Sequence, residues 1–289
     1  VNQGDTKTKI DHITIAGSRL DALQRAFAEA GLATDYGGPH SNNITHMALL
    51  GFDDGSYIEL ISTLEPGQHS PWWDAHIRDD GGPCAWALEV DDVAAEASRV
   101  AELGIAVKGP KYYARERPDG VRIEWDLAIL GDQGMGALLP FIIKDRTPRE
   151  LRVSPSASVT GTALTGIGLV VIVVPAIESA SALFRRVYEL PAPVISEWHG
   201  LGGKIAHFPG QPFILAAPLA SNDWLAQRLA RFGVSPCAFL IGTKDIKDSM
   251  RRLPLTVSEH AFGREVCWFR DQFLYRYRLG LAAAPRQGD

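Results

Sequence analysis

Cysteine is scarce in this chain. The three present, Cys84, Cys237 and Cys267, lie too far apart for a disulfide framework or a zinc knuckle. Their bland reading is two buried strand residues and one bystander. A basic surplus is missing as well. The formal charge is -5 over 289 residues, which leaves little to neutralise a phosphate backbone and excludes a general nucleic-acid role. Arg251-Arg252 and the alternation Arg276/Arg278 are local exceptions. Long apolar runs are absent too. The longest, Leu169 to Ile177, is broken by Pro175 and is too short to span a bilayer. The opening residues Val1-Asn2-Gln3-Gly4-Asp5 are polar and unlike a signal peptide. A soluble, cytoplasmic protein without membrane or nucleic-acid partners is the expectation. The chain also has no Gly-x-Ser-x-Gly elbow, no Walker-type loop, and no Gly-x-Gly-x-x-Gly after a strand. Gly200-Leu201-Gly202-Gly203 precedes a strand pattern instead of a helix, so it is no phosphate cradle.

What is present is a module. Ile10 to Ala16 reads as a strand. A helix pattern follows from Leu20 to Ala30, with Leu20, Leu23, Phe27 and Ala30 on one face, Asp21 near its start and Gly31 past its end. Three extended segments come next, around Ala33–Tyr36, Thr45–Phe52 and Ser56–Ser62, separated by a polar loop and the turn Asp53-Asp54-Gly55. The order is βαβββ. Trp72, Trp73, Asp74 and His76 then suggest a short helical turn covering whatever the strands enclose.

The pattern recurs. A second unit starts at Cys84, with a helix from Val93 to Leu103, a polar loop from Val107 to Gly120, and strands over Val121–Leu130 and Leu138–Ile143. A third places a strand at Gly166–Val174, a helix at Ile177–Leu190, and paired strands at Lys204–Phe208 and Pro212–Ala217. After a helix pattern from Asn222 to Phe232, the fourth begins at Cys237, with a helix at Ile246–Leu253 and final strands at Glu265–Arg270 and Phe273–Leu279. Self-similarity of this kind dictates the architecture. The expected fold class is α+β: four βαβββ modules forming two pseudo-symmetric cups, helices outside. The Ser-, Pro- and Thr-rich stretch Val153–Thr160 divides them into residues 1–150 and 160–289. That stretch is expected to be protease-sensitive unless the two halves pack it.

Asp11-His12-Ile13-Thr14-Ile15, Gly37-Gly38-Pro39-His40, Tyr57-Ile58-Glu59-Leu60, Gly120-Val121-Arg122-Ile123-Glu124-Trp125 and Leu139-Pro140-Phe141-Ile142 together resemble the glyoxalase-like branch of the vicinal-oxygen-chelate superfamily. The resemblance covers about the first half; the second half matches only in its βαβββ order. It implies a small oxygenated substrate, lyase, isomerase or ring-cleaving dioxygenase chemistry, and a divalent metal (Fe, Mn, Zn or Ni) held by His and Glu on first and last strands. Here those residues are His12 and Glu59, with His46 as the nearest candidate third ligand and His40, Glu124 and Asp126 as others. His40, Asn42 and Trp125 are candidate substrate-binding residues.

Strand alternation puts His12, Thr14 and Ala16 on one face and Ile13 and Ile15 on the other. It likewise separates Tyr57, Glu59 and Ile61 from Ile58 and Leu60. The apolar sets suit packing under the helix, which leaves His12 and Glu59 to share a cup. There they either anchor a metal or, without one, act as a base and its orienting partner. Either residue is also readable as an ordinary strand position. Aligning the repeats puts Ala85, Leu169 and Ala238 opposite His12, and Phe141, Leu215 and Tyr275 or Tyr277 opposite Glu59. Metal chemistry is therefore expected only in the first half. Two further readings stand beside an enzyme: a metal-free small-molecule binding protein, and a C-terminal half that closes the active cup or builds a homodimer.

Overall fold

The computed structural model describes residues 8–270 and 274–284. Its first sheet is made by β1 (Lys9–Ala16), β2 (Asp35–Pro39), β3 (Thr45–Gly51), β4 (Tyr57–Thr63), β5 (Gly82–Glu89), β6 (Val107–Glu116), β7 (Arg122–Leu130) and β8 (Phe141–Asp145). Helices α1 (Leu20–Glu29), α2 (Asp74–Arg78), α3 (Val93–Glu102) and α4 (Arg149–Arg152) belong to the same stretch. The second sheet is made by β9 (Leu164–Val173), β10 (Val194–Trp198), β11 (Gly203–His207), β12 (Phe213–Pro218), β13 (Ser235–Thr243), β14 (Glu259–Ala261), β15 (Arg264–Trp268) and β16 (Leu279–Ala283). With it go α5 (Ile177–Tyr188), α6 (Trp224–Phe232) and α7 (Ile246–Arg252). The strand orders correspond one to one, β2-β3-β4-β1-β5-β8-β7-β6 and β10-β11-β12-β9-β13-β16-β15-β14. In each sheet two modules meet at an antiparallel central pair, β1 with β5 and β9 with β13, flanked by parallel neighbours. The fold is the expected pair of curled eight-stranded cups.

The convex faces explain how the cups are held. Ile13, Ile15, Ile58, Leu60 and Trp86 from the first sheet share one continuous core with Val170, Ile172, Phe213, Leu215 and Phe239 from the second, and the outer helices α1, α3, α5 and α7 contribute to it. Trp86 is fully buried, its ring parallel to that of Phe184 at 6.5 Å and 5.8 Å from Phe213. The two sheets thus stand back to back. Two of the shorter helices do something different. Trp73 and Ile77 beside and on α2 pack with the interior of the first cup, and Leu225 and Leu229 of α6 with that of the second. The same two helices grip each other. Arg228 of α6 donates to the carbonyls of Gly81, Pro83 and Pro236, Phe232 stacks on His76 at 4.5 Å, and Arg231 pairs with Asp79 at 3.2 Å.

The stretch after β8 is strapped down. Ser156 Oγ donates to Asp35 (2.8 Å) and accepts from the Gly51 amide (3.2 Å), while Val159 is buried. Gly51 is required there, because a Cβ would sit 2.2 Å from the Ser154 carbonyl oxygen.

Several sequence expectations shift. The polar loop expected over 107–120 contains β6, and β10 and β14 are further strands that the pattern did not show. All three lie at sheet edges, where exposure on both sides erases the apolar alternation. The last strand is β16, later than Phe273–Leu279; residues 271–273 lie outside the described ones, and Tyr275–Tyr277 form a 3-10 turn. The inward residue of β12 is Ile214, beside Val171, in the place where Glu59 stands beside Thr14; Leu215 faces the convex core. All three cysteines are free and buried.

The second cup is packed shut by its own side chains. Leu169, Val171, Ile214, Ala238 and Leu240 fill it, and Trp198 and Trp268, stacked at 5.3 Å, both donate their indole N–H to Glu259.

Because the two sheets share a core, Phe184→Ala is expected to cost about 3–5 kcal/mol and to lower the protection of both sheets together. Hydrogen exchange checks this: peptides from β5 and β13 should lose protection in parallel, whereas loss confined to β13 would show independent units. Limited proteolysis of the folded protein is expected to spare residues 153–160.

Candidate active site in the N-terminal cup

Strand parity positions the first residues of the site. β1 and β4 run parallel, with His12 opposite Tyr57 and Thr14 opposite Glu59. His12 and Glu59 therefore face the same concave side, together with Tyr57, Ala16 and Ile61, while their neighbours enter the convex core. Both are buried, at 3% and 6% exposure. The His12 ring stacks on Tyr57 at 4.6 Å and meets the Phe141 ring edge-on at 5.2 Å.

A buried carboxylate must be satisfied, and Glu59 is. Thr14 Oγ1 donates to one oxygen at 3.0 Å, and His40 Nε2 lies 2.9 Å from the other. His12 Nε2 is 4.0 Å from the Thr14-bound oxygen. Burial alone raises the Glu59 carboxyl. The His40 hydrogen bond and charge, then the His12 charge and the Thr14 hydroxyl, outweigh it and bring the pKa down to about 2. His40 is itself held, its Nδ1 2.9 Å from Thr45 Oγ1 and its ring edge-on to Trp72 at 5.5 Å.

Behind His12 stands a residue that parity hides. A register shift between Ile10 and His12 bulges β1 at Asp11. The Asp11 carboxylate, fully buried, thereby comes within 2.5 Å of His12 Nδ1. The same carboxylate accepts from Arg152 at 2.7 and 3.0 Å and from Arg149. Burial pushes the Asp11 carboxyl up, but the Arg152 charge and then His12 hold it well below the usual carboxylate range. Asp145 shares the two arginines, at 2.9 Å from Arg152 and 3.2 Å from Arg149, so the quartet balances its own charge. Arg152 also donates to the Tyr57 hydroxyl at 2.8 Å. An ionised carboxylate only accepts, so neutral His12 carries its proton on Nδ1 and presents the Nε2 lone pair to the cup.

The remaining lining is largely apolar: Met47, Leu49, Trp72, Trp73, Leu127 and Phe141 among others, around a cavity of about 80 Å³. Trp73 is pinned by its indole donating to the Met135 carbonyl at 3.0 Å.

Of the residues singled out from sequence, His12, Glu59, His40 and Trp125 line this cup. Asn42 supports it from outside. Its side-chain oxygen accepts from the amides of Ile44 and Thr45, and its NH₂ donates to the Thr45 hydroxyl that holds His40. The structure does not bring His46 to His12 and Glu59. It alternates with Met47 and Leu49, which line the cup, and lies against Tyr36. Glu124 and Asp126 pair with Arg122 and Arg146 on the outer side of β7. Asp11, Arg149 and Arg152 went unrecognised. Their signal was no more than an acidic neighbour of His12 and two basic residues three apart, Arg152 lying beyond the boundary expected at 150.

The metal centre implied by the resemblance does not fit the donors as arranged. Both oxygens of Glu59 already have a donor, His40 uses its cup-facing nitrogen on one of them, and the facing positions of the second module are Ala85, Ala87 and Phe141. Among the described residues no group of three or more His, Cys, Asp or Glu side chains is placed to hold a metal ion. No described helix is long and apolar enough to cross a membrane.

Comparison with known proteins places this geometry. A family profile described as a glyoxalase-like domain matches residues 10–188, spanning the first sheet and running on through α5. Among solved structures, a hypothetical protein from Staphylococcus aureus superposes with a TM-score of 0.62 at 13% identity, over 96% of this chain and 100% of that one. A variant of 4-hydroxymandelate synthase from Streptomyces coelicolor gives 0.60 at 13% identity, over 97% and 94%. A fusion of a xylose isomerase-like TIM barrel with 4-hydroxyphenylpyruvate dioxygenase gives 0.57 at 14% identity, over 100% of this chain and 52% of that one. No curated protein sequence matches the chain.

The charges of the cup set an acid limit. A carboxylate whose folded pKa is depressed adds stability above its unfolded pKa, and that stability is lost as pH falls through the folded value. For Glu59 the window runs from 4.5 down to about 2, on the order of 3 kcal/mol. Urea unfolding at successive pH values should show Glu59→Gln flattening this acid limb. Asp11→Asn leaves the buried Arg152 and the half-buried Arg149 short of an anion and is expected to cost about 3–5 kcal/mol at neutral pH.

Proposed function

This chain belongs to the glyoxalase-like domain family, and on that premise we propose that its N-terminal cup is the active site of a small-molecule isomerase or lyase in which His12 moves a proton at a carbon next to a carbonyl. The observation that carries the reading is the 2.5 Å contact between Asp11 and His12 Nδ1. It fixes the tautomer and aims Nε2 at the ligand space, the arrangement of an oriented general base.

The chemistry follows from the residues in place. The substrate C–H bond breaks, His12 Nε2 takes the proton, and the bonding pair moves onto the carbonyl oxygen as an enolate. The imidazolium that forms is flanked by Asp11 on one nitrogen and by Glu59 at 4.0 Å from the other. Arg152 also lines the cup, but its charge is matched by Asp11 and Asp145; its part is to hold the Asp11 carboxylate against His12. Return of the proton to a different position gives isomerisation; loss of a group from the enolate gives elimination. Glu59, with both oxygens already held by Thr14 and His40, serves as the fixed anion. The apolar lining of Met47, Leu49 and Leu127 and the Trp72/Trp73 cover keep water from the enolate.

The same apolar lining favours a second reading, a binding protein without chemistry. Solvent deuterium uptake by a panel of short carbonyl compounds, followed by proton NMR, separates the two. The wild-type protein is expected to accelerate exchange on at least one member, and His12→Gln to lower that rate by about 10²–10⁴-fold. Ligand binding without exchange supports the second reading. Exchange that disappears with a chelator and returns with a divalent ion would overturn the metal-independent mechanism.

A further inference from the structure

One cation of the cup has no anion in contact with it among the described residues; Glu59 acts on it only through space. Arg115 is the single buried residue of the edge strand β6, at 8% exposure, in a strand whose other positions are exposed or half-buried. It alternates with Tyr113, so both side chains reach the concave side and line the cavity. One guanidinium nitrogen donates to the Gly37 carbonyl at 2.7 Å, across the seam where β6 and β2, the two edges of the sheet, come together. Among the described residues it makes no ion pair. The other cations here differ: Arg149 and Arg152 are neutralised by Asp11 and Asp145. Glu59 is committed to His40 and Thr14.

A guanidinium stays protonated whatever its surroundings. Removing one from water without an anion is costly unless something in the working protein supplies the charge. Arg115 also lines a larger outer cavity of about 460 Å³, bordered by Tyr36, Gly37, Arg117 and Ser154. It therefore stands between solvent and the inner space that His12 faces. One guanidinium fork with one donor already used matches a carboxylate, which takes two parallel N–H bonds. Arg117 and Arg152, the other arginines of the outer cavity, are paired with Asp119 and with Asp11 and Asp145, which leaves one unpaired guanidinium there among the described residues, enough for a carboxylate and not for a phosphate dianion.

We infer that Arg115 is the carboxylate anchor of the N-terminal cup, and that the substrate is a short carboxylic acid carrying a carbonyl beside its exchangeable C–H bond. The carbonyl half of this statement rests on the proton-transfer reading of His12; the carboxylate half rests on Arg115 alone. With the carboxylate on Arg115, the rest of a small acid lies among Met47, Leu49 and Leu127. A 2-oxo acid of three to five carbons has the required groups.

Calorimetric titration of 2-oxobutyrate against 2-oxobutyramide tests the anchor. The two probes share size and carbonyl and differ in charge. Wild-type protein is expected to bind the acid at least tenfold more tightly than the amide. Arg115→Gln should abolish that preference and Arg115→Lys should keep part of it, since a point charge replaces the fork. Circular dichroism and a thermal melt establish that each variant is folded. If Arg115→Gln does not fold, the wild-type preference and its weakening in Arg115→Lys decide the matter. Equal affinity for acid and amide, an acid preference that survives in Arg115→Gln, or no detectable acid binding would each overturn the proposal. His12→Gln separates it from the catalytic reading: acid binding should persist in that variant while deuterium exchange is lost. An acid preference that depends on Arg115, found together with no exchange in any variant, would keep the anchor and discard the acid–base mechanism.

Discussion

The central strands of the first sheet have no wet face. Their convex sides are sealed by the second sheet and the outer helices, and their concave sides line a cup roofed by Trp72 and Trp73. Polar side chains on β1 and β4 must therefore look for partners inside the protein, and all the site residues find one, although Ser62 Oγ does not. That constraint turns a handful of residues into one network. Thr14 serves Glu59, Glu59 receives His40, His40 leans on Thr45, and Thr45 is kept in place by Asn42. A site assembled this way is rigid before any ligand arrives, which is what proton transfer at a fixed distance requires.

The second half of the network runs under the sheet's end. Asp11 is the hinge of it, since one carboxylate orients His12 and pairs with two arginines from α4, Asp145 supplying the second negative charge. Arg149 and Arg152 also lie over the Tyr57 ring, 5.6 and 5.5 Å from its centroid, while His12 stacks on Tyr57 within the cup. Packing and electrostatics are not separable here. Moving Tyr57 would disturb both His12 and the cations behind Asp11.

Much of this was legible in the sequence, and the failures share a cause. Where a strand has one face in a core, alternation reports it, and it put His12 and Glu59 in one cup with Ile13, Ile15, Ile58 and Leu60 behind them. The same alternation spoke against His46, whose neighbours Met47 and Leu49 are the inward ones. Edge strands such as β6 carry no such pattern, and so Arg115, the one buried position in it, was invisible. Asp11 was hidden by a bulge, a one-residue change of phase that composition does not announce. Arg149 and Arg152 sit on a four-residue helix whose contact with β1 bridges 138 residues of chain for one and 141 for the other, and nothing local encodes such a contact. The repeat predicted the second cup's loss of polar residues; that Trp198, Trp268 and Glu259 would plug it is a matter of shape, seen only once the strands are folded.

The grip between α2 and α6 bears on traffic. The segment that roofs the first cup is fastened to the other half of the molecule by Arg228's bonds to the Gly81 and Pro83 carbonyls and by the His76–Phe232 stack. Lifting that roof means breaking contacts in both halves at once. The β2–β6 seam, by contrast, is crossed by the Arg115–Gly37 hydrogen bond, with Pro118 packed near Gly38. On the proposed reading an anion would take the remaining donors of the same guanidinium that holds Gly37, so one side chain would serve both the ligand and the seam. The filled second cup thus acts as the frame on which the roof of the first is hung.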